Sequence, residues 1–285
     1  MKTVMNCWRK EQTASEYLQH FYEVPEERPE LPLADEAFVS QWQEAEGQGV
    51  LAFLAEDMGL PVFAFAWEAE EELRISFART AGGRLPVIAT GTHEDFRAME
   101  AVLGSCEEKR ELPPTVNAFT LEAKAEGIFR HRLLLLNRAP YSNLPAEALG
   151  LTGADWLECS SRLRLAHECA HYETLRLLGG MKNHALDEIL ADALGQVAAF
   201  GDFSADRQRI FFGLVQGKDT CTGRLSFYTR NVCREDRGVV YWAVDRVLDI
   251  IEAELQEMLS RKAEDWEILT ALAGRSIADR LAGER

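Results

Sequence analysis

Two histidines one helical turn apart are the residues of this chain whose types and spacing best suit chemistry. His167 and His171 belong to the pattern His-Glu-x-x-His, in a segment that is predicted to be helical. Residues at this spacing project from one face of a helix, so both imidazoles can bind the same metal ion. Zinc accepts such neutral nitrogen ligands and makes a water molecule nucleophilic near neutral pH. Glu168 is placed to take the proton of that water, so these residues predict a zinc-dependent hydrolytic site.

The next predicted helix offers a third ligand, which is needed because catalytic zinc sites usually use three protein ligands and a water. Gly179-Gly180 ends the first helix, and the second runs from about Ala185 to Phe200. If the second helix folds back onto the first, Glu188 completes a metal site with the two histidines. Asp192 lies one turn further along the same face, where it can accept a hydrogen bond from the second ring nitrogen of a ligand histidine.

The combined pattern resembles the gluzincins, the zinc metallopeptidases that include thermolysin and neprilysin. The resemblance covers Leu163 to Gly195, although Asp187 stands where the family usually has asparagine. In that family two histidines of one helix and a glutamate of the next bind zinc, the glutamate of the motif is the base, and the aspartate supports a ligand histidine. By position, the resemblance assigns metal binding to His167, His171 and Glu188, and catalysis to Glu168 and Asp192.

The resemblance implies two further features outside these helices. Gluzincins generally stabilise the developing oxyanion with a tyrosine, histidine or arginine, for which Tyr228, Arg230 and Tyr241 are the candidates here. Zincins also bind the substrate backbone along an edge strand that precedes the active helix. Arg130 to Leu136 is the candidate edge strand by its order in the chain. The substrate implied is a peptide or protein.

The pattern of apolar residues predicts an α+β fold, and the resemblance implies a zincin-like one. Residues 1–150 are predicted to form a mixed α/β region that includes the candidate edge strand, and residues 151–285 a mostly helical region with the active-site helices. Pro61 to Trp67 and Glu72 to Ala78 are predicted to pair as a hairpin. Thr152 is predicted to cap the first metal-binding helix, and Val239 to Leu259 is the clearest amphipathic helix.

Composition and charge exclude several classes of partner. The formal net charge of −16 argues against binding to nucleic acid or to an anionic membrane surface, since both require basic patches. The sequence has no apolar segment approaching the ~20 residues that span a bilayer, and Met1 to Glu16 lacks the apolar core of a signal peptide. The six cysteines are scattered without a Cys-x-x-Cys pair, which is typical of reduced thiols. A cytoplasmic location is therefore expected.

Other interpretations of the same residues stay open. A non-catalytic or regulatory protein can retain a zincin-like zinc site, and buried histidines can also be purely structural. A ferritin-like di-metal protein would need a second Glu-x-x-His pair, which the sequence does not contain. His184 is a rival third ligand, a candidate oxyanion donor or a helix cap. Cys169 is a candidate soft ligand inside the motif, but it points away from the face of the two histidines.

Overall fold

The computed structural model describes residues 11–104, 116–123 and 131–283 of the chain. This part of the chain has an α+β structure, as predicted. Its strands are β1 (Arg74–Thr80), β2 (Gly83–Thr90), β3 (Ala118–Ala123) and β4 (His131–Asn137). Its α-helices are α1 (Ala14–Leu18), α2 (Val39–Trp42), α3 (Ala45–Gln48), α4 (Val50–Glu56), α5 (His93–Leu103), α6 (Gly153–Leu178), α7 (Ala185–Phe200), α8 (Ala205–Phe212), α9 (Leu225–Tyr228), α10 (Arg237–Ser260), α11 (Asp265–Ala273) and α12 (Ile277–Ala282).

The chain divides into two compact units, and each is described by itself. The sheet unit comprises residues 27–180, and the helical unit comprises the residues up to 26 together with residues 181–285. The long helix α6 therefore belongs with the sheet, against which its Tyr172 packs, and not with the helices that follow. Within the described residues, all strands precede residue 150 and helices predominate after it, which agrees with the predicted order of elements.

The sheet has the strand order β1-β2-β4-β3. Strands β1 and β2 pair antiparallel, β2 and β4 pair parallel, and β3 and β4 pair antiparallel. Strand β4 is thus an inner strand, and the prediction that Arg130 to Leu136 forms an edge strand is wrong; Arg130 itself lies outside the described residues. The reason is lateral pairing, because β4 is hydrogen-bonded to β2 on one side and to β3 on the other. Leu133, Leu134 and Leu135 are all fully buried, which is typical of a strand covered on both faces.

Helices cover the two faces of this sheet. On one face, Ile88, Leu133 and Leu135 join a core with residues of α4 and α5. On the other face, Val87 and Leu134 pack with Tyr172 of α6. The chain therefore leaves β2 towards the first face through α5 and leaves β4 towards the opposite face through α6.

The hairpin of this unit is not the predicted one. Val62–Ala64 forms a 3₁₀ turn instead of a strand, and β1 pairs with β2 across the two residues that separate them. Gly83 starts β2 with a φ of +102°, a left-handed backbone conformation that favours glycine. The chain therefore reverses at the tight turn between β1 and β2, which this glycine permits.

The two helices that carry the predicted site begin and end as expected. Thr152 caps α6 by accepting a hydrogen bond from the backbone N–H of Asp155, and Gly179 ends the helix at a φ of +73°. His184 caps α7 in the same way, with its side chain accepting from the N–H of Leu186, and Gly201 ends that helix at a φ of +83°.

The helical unit has a core built on α10. Its apolar stripe is buried as predicted, and the buried members of this stripe are Val240, Val244, Val247, Ile251 and Leu255. A buried ion pair fixes α8 against it, because Nε of Arg209 lies 2.6 Å from Oδ1 of Asp245. Among the described residues, every helix is too short or too polar to cross a membrane.

Candidate metal centre

Helix α6 brings His167 and His171 together in the sheet unit. Their Nε2 atoms lie 3.1 Å apart, and both side chains are buried. Two nitrogens that bind one zinc ion tetrahedrally at 2.0–2.1 Å are about 3.3 Å from each other. The observed separation is therefore within a few tenths of an ångström of the one a shared metal requires, and it follows directly from the spacing of one helical turn.

Tyr141 fixes the orientation of His167. Its hydroxyl group lies 2.9 Å from Nδ1 of His167, and the tyrosine is only 4% exposed. When Nδ1 carries the proton and donates it to this hydroxyl oxygen, Nε2 keeps the lone pair that a metal needs. Such a partner on the second ring nitrogen is what holds ligand histidines in place in metal sites.

The loop that carries Tyr141 is held against α6. The backbone N–H of Tyr141 donates to Oγ of Ser160 at 2.9 Å, and the Arg164 guanidinium donates to the carbonyl oxygens of Asn137, Ala139 and Pro140. The sequence alone did not single out Tyr141. The available signal was a large aromatic residue inside a turn that directly follows an apolar strand.

Glu168 lies beside His167 on α6 and is buried, with 9% of its surface exposed. Cys169 follows it but packs towards the sheet, next to the cluster that contains Tyr172. Burial raises the pKa of the Cys169 thiol well above its usual range, and the nearby charges of Glu173 and Glu168 raise it further. Only the thiolate is a good metal ligand, so these surroundings do not favour Cys169 as one.

Glu188 lies in the first turn of α7, in the helical unit, and is buried. The hydroxyl group of Tyr228 hydrogen-bonds to its carboxylate. Burial and the charge of Glu188 hold the pKa of Tyr228 well above its usual value, so this hydroxyl keeps its proton and remains a donor. The other two candidates for an oxyanion donor are engaged elsewhere: Arg230 stacks on the ring of Phe227, and the Tyr241 hydroxyl lies 3.2 Å from Oγ1 of Thr229.

Asp192 is fully buried one turn after Glu188 on α7. Its Oδ2 atom accepts a hydrogen bond from Nε2 of Gln208 at 2.5 Å and forms an ion pair with Arg224. These contacts lie within the helical unit, and sequence analysis did not foresee them. The role of Asp192 as the partner of a ligand histidine stays a prediction.

A second group of possible ligand atoms belongs to the helical unit alone. One ligand atom each of His20, His184 and Asp187 lies within 4.8 Å of the others. However, Nδ1 of His184 accepts from the N–H of Leu186, and its Nε2 lies 2.9 Å from the carbonyl oxygen of Tyr17. Both nitrogens of His184 are therefore engaged, which makes this residue a helix cap and a poor ligand.

Asp187 completes that group as a hydrogen-bond acceptor. Its carboxylate accepts from the Tyr22 hydroxyl, from the Lys182 backbone N–H at 3.0 Å and from His20 at 3.3 Å. Burial alone would raise the pKa of Asp187, but the hydrogen bonds to His20, Tyr22 and Lys182 outweigh it and leave the pKa below its usual value. The network connects the segment before α2 to the first turn of α7, next to Glu188.

Fold and site together define an α+β protein whose long helix carries a buried pair of converging histidines and a flanking glutamate. The sequence matches the family of unknown function DUF7005 over residues 117–283, more than half of the chain, and the chain belongs to this family. The match includes both α6 and α7, and therefore all the predicted site residues. No curated protein and no solved structure shows significant similarity to the chain.

Proposed function

We propose that this chain is a zinc-dependent hydrolase, a gluzincin-like metallopeptidase that acts on a peptide or protein substrate in the cytoplasm. The observation that supports this most strongly is the approach of the two histidine Nε2 atoms to 3.1 Å, with Nδ1 of His167 held by Tyr141. The zincin-like architecture is part of the same proposal, and it rests on the sequence motif.

The proposed ligands are His167, His171 and, from the motif, Glu188. Two imidazole nitrogens and one carboxylate oxygen match the ligand preferences of zinc and leave a fourth position for water. A bound zinc ion would polarise the scissile carbonyl group and lower the pKa of the water that attacks it. The chain's own residues would supply the rest of the chemistry.

Glu168 is the proposed general base. Its carboxylate would accept a proton from the attacking water and then deliver it to the nitrogen of the leaving amine. Its place between the two histidines in the sequence, on a buried turn of α6, supports this role. A buried carboxylate in that position also keeps the transferred proton away from bulk water.

Tyr228 is the proposed donor to the oxyanion that develops on the scissile carbonyl. Among the three candidates, it is the one whose hydroxyl contacts a proposed ligand, Glu188. Because its pKa is raised well above its usual value, the hydroxyl stays protonated at neutral pH and can donate to an oxyanion. Asp192, with Arg224 beside it, would hold the part of α7 one turn beyond Glu188.

A non-catalytic metal-binding role is the second candidate. The observation that favours it is burial: His167, His171, Glu168 and Glu188 are each less than a tenth exposed, and closed sites are typical of structural zinc. The two candidates differ in turnover but not in metal content.

The test uses the full chain, loaded with zinc, on a mixture of peptides with varied sequences. We expect cleavage by the wild-type protein, and loss of cleavage with retained zinc in Glu168→Gln. Zinc binding without cleavage of any peptide would support the non-catalytic role. Cleavage at an undiminished rate by Glu168→Gln would contradict the proposed mechanism.

A further inference from the structure

The sheet unit contains a cleft at the carboxyl ends of two adjacent parallel strands. Thr90 ends β2 and Asn137 ends β4, and both residues line the cleft. The chain turns from β2 to α5 on one face of the sheet and from β4 to α6 on the opposite face. In α/β sheets, such a reversal opens a crevice between the two strand ends, and ligands commonly bind there.

The cleft has a volume of about 370 Å³ and an unusual charge for this protein. Its lining includes the three arginines Arg74, Arg138 and Arg164 and a single acidic residue, Glu72. The chain as a whole carries a net charge of −16. The cleft therefore has a local excess of positive charge, although the protein as a whole is strongly acidic. Such a cleft attracts an anionic ligand and repels cations.

Some polar side chains of the cleft are buried and held by hydrogen bonds, and others are exposed at its rim. Arg164 is buried, and its guanidinium is held by three backbone carbonyls, so it contributes a stationary positive charge. Thr90 and Asn137 are buried and bonded to each other at 3.3 Å. Arg74 and Arg138 are exposed at the rim of the cleft. Nη1 of Arg74 donates to the backbone carbonyl oxygens of Glu71 and Leu73, so only its remaining N–H groups can contact a ligand.

We propose that this cleft binds an oxyanion group, a carboxylate or a phosphate, with Arg138 and Arg74 as the direct contacts. Arginine suits this task because its planar guanidinium donates two parallel hydrogen bonds to such a group. Glu72 opposes the binding of the anion, and it sets an upper limit on the affinity of the cleft.

Helix α6 contributes Arg164 to the cleft and Glu168 to the proposed active site. A role of the cleft in substrate binding therefore rests on the proposed function. Arg164 precedes Glu168 by four residues, a distance of about 6 Å along the helix axis. A substrate that reached Glu168 would extend past Arg164 into the cleft. The anionic group would then be an acidic side chain or the terminal carboxylate of the peptide that is cleaved.

Calorimetric titration of the full-length protein with succinate and, separately, with inorganic phosphate at low ionic strength tests the cleft without any metal. We expect binding of at least one anion, weakened about tenfold in Arg138→Gln and in Arg74→Gln and strengthened in Glu72→Gln. Arg79→Gln is the matched control, because Arg79 is an exposed arginine of β1 that does not belong to the described cleft lining. Absence of binding by both anions, or equal weakening in Arg79→Gln, would overturn the proposal.

Peptide cleavage separates the cleft from the proposed function. With zinc-loaded protein, Arg138→Gln should raise KM about tenfold for peptides with an acidic residue, whereas Arg79→Gln should leave it unchanged. Anion binding without any cleavage would establish the cleft and reject the peptidase. Cleavage of peptides without anion binding and without an acidic preference would reject the cleft and leave the peptidase standing.

Discussion

Replacement of Tyr141 by phenylalanine removes one hydroxyl group from the metal centre and leaves the ring in place. The hydroxyl lies 2.9 Å from Nδ1 of His167, at a residue that is 4% exposed, so water cannot readily substitute for it. Loss of this hydrogen bond frees the His167 ring to rotate and to place its proton on Nε2, the nitrogen that would bind the metal.

The expected loss of zinc affinity follows from the burial of this hydrogen bond. An unsatisfied buried donor costs about 1–3 kcal/mol, and a change of about 1.4 kcal/mol is tenfold in an equilibrium constant. We therefore expect Tyr141→Phe to weaken zinc binding by about 10- to 100-fold, the range found when the partner of a ligand histidine is removed. Titration of metal-free protein with zinc, in competition with a chromophoric chelator, measures this change.

Tyr172→Phe is the matched control on the same helix. Its hydroxyl donates to Glu36 at 3.1 Å and accepts from Arg176 at 2.7 Å, so this variant also loses buried tyrosine hydrogen bonds. Both variants should lose about 1 kcal/mol of unfolding free energy in the metal-free state. Only Tyr141→Phe should lose zinc affinity, and equal zinc affinity in the two variants would refute the reasoning.

Three further predictions concern catalysis, stability and pH. Glu168→Gln should lower the rate of peptide hydrolysis by a factor of about 10²–10⁴ while the zinc content stays unchanged. Arg209→Met leaves the buried carboxylate of Asp245 without its positively charged partner and should cost about 3–5 kcal/mol of unfolding free energy in urea. Arg261→Met, which removes an exposed pair, should cost less than about 1 kcal/mol. His184→Asn should keep the cap of α7 and reduce the dependence of stability on pH between about 4 and 6, as measured by urea unfolding.

The sign of the pH effect comes from the buried imidazole. Burial, with a smaller contribution from His20, lowers the pKa of His184 to about 3, whereas an unfolded histidine has a pKa of about 6.5. Between these values the unfolded chain binds a proton here and the folded chain does not. Stability is therefore complete above about pH 6.5 and falls by about 1.4 kcal/mol per unit as the pH drops towards 3. An identical slope in wild type and His184→Asn would show that this residue does not carry the effect.

The helices of the site were predictable because local signals define them. Thr152 and Gly179 mark the ends of α6, and the spacing of His167 and His171 alone places their Nε2 atoms near each other. Strand order was not predictable in this way, since the position of β4 between β2 and β3 depends on pairings between distant segments.

Tyr141 shows a second limit of sequence analysis. A turn residue that contacts a histidine 26 positions later carries no periodic signal, and its role emerges only when Ser160 and Arg164 fix the loop against α6. The same holds for the cleft, whose arginines come from β1, from the residue after β4 and from α6.

The metal content of the untagged protein, purified without chelator and measured by mass spectrometry, tests the central claim most directly. We predict about one zinc per chain in the wild type and in His184→Asn, and loss of the metal in His171→Ala and in Glu188→Ala. A wild-type protein that holds no metal after zinc addition and dialysis would contradict the account and make His167 and His171 structural residues.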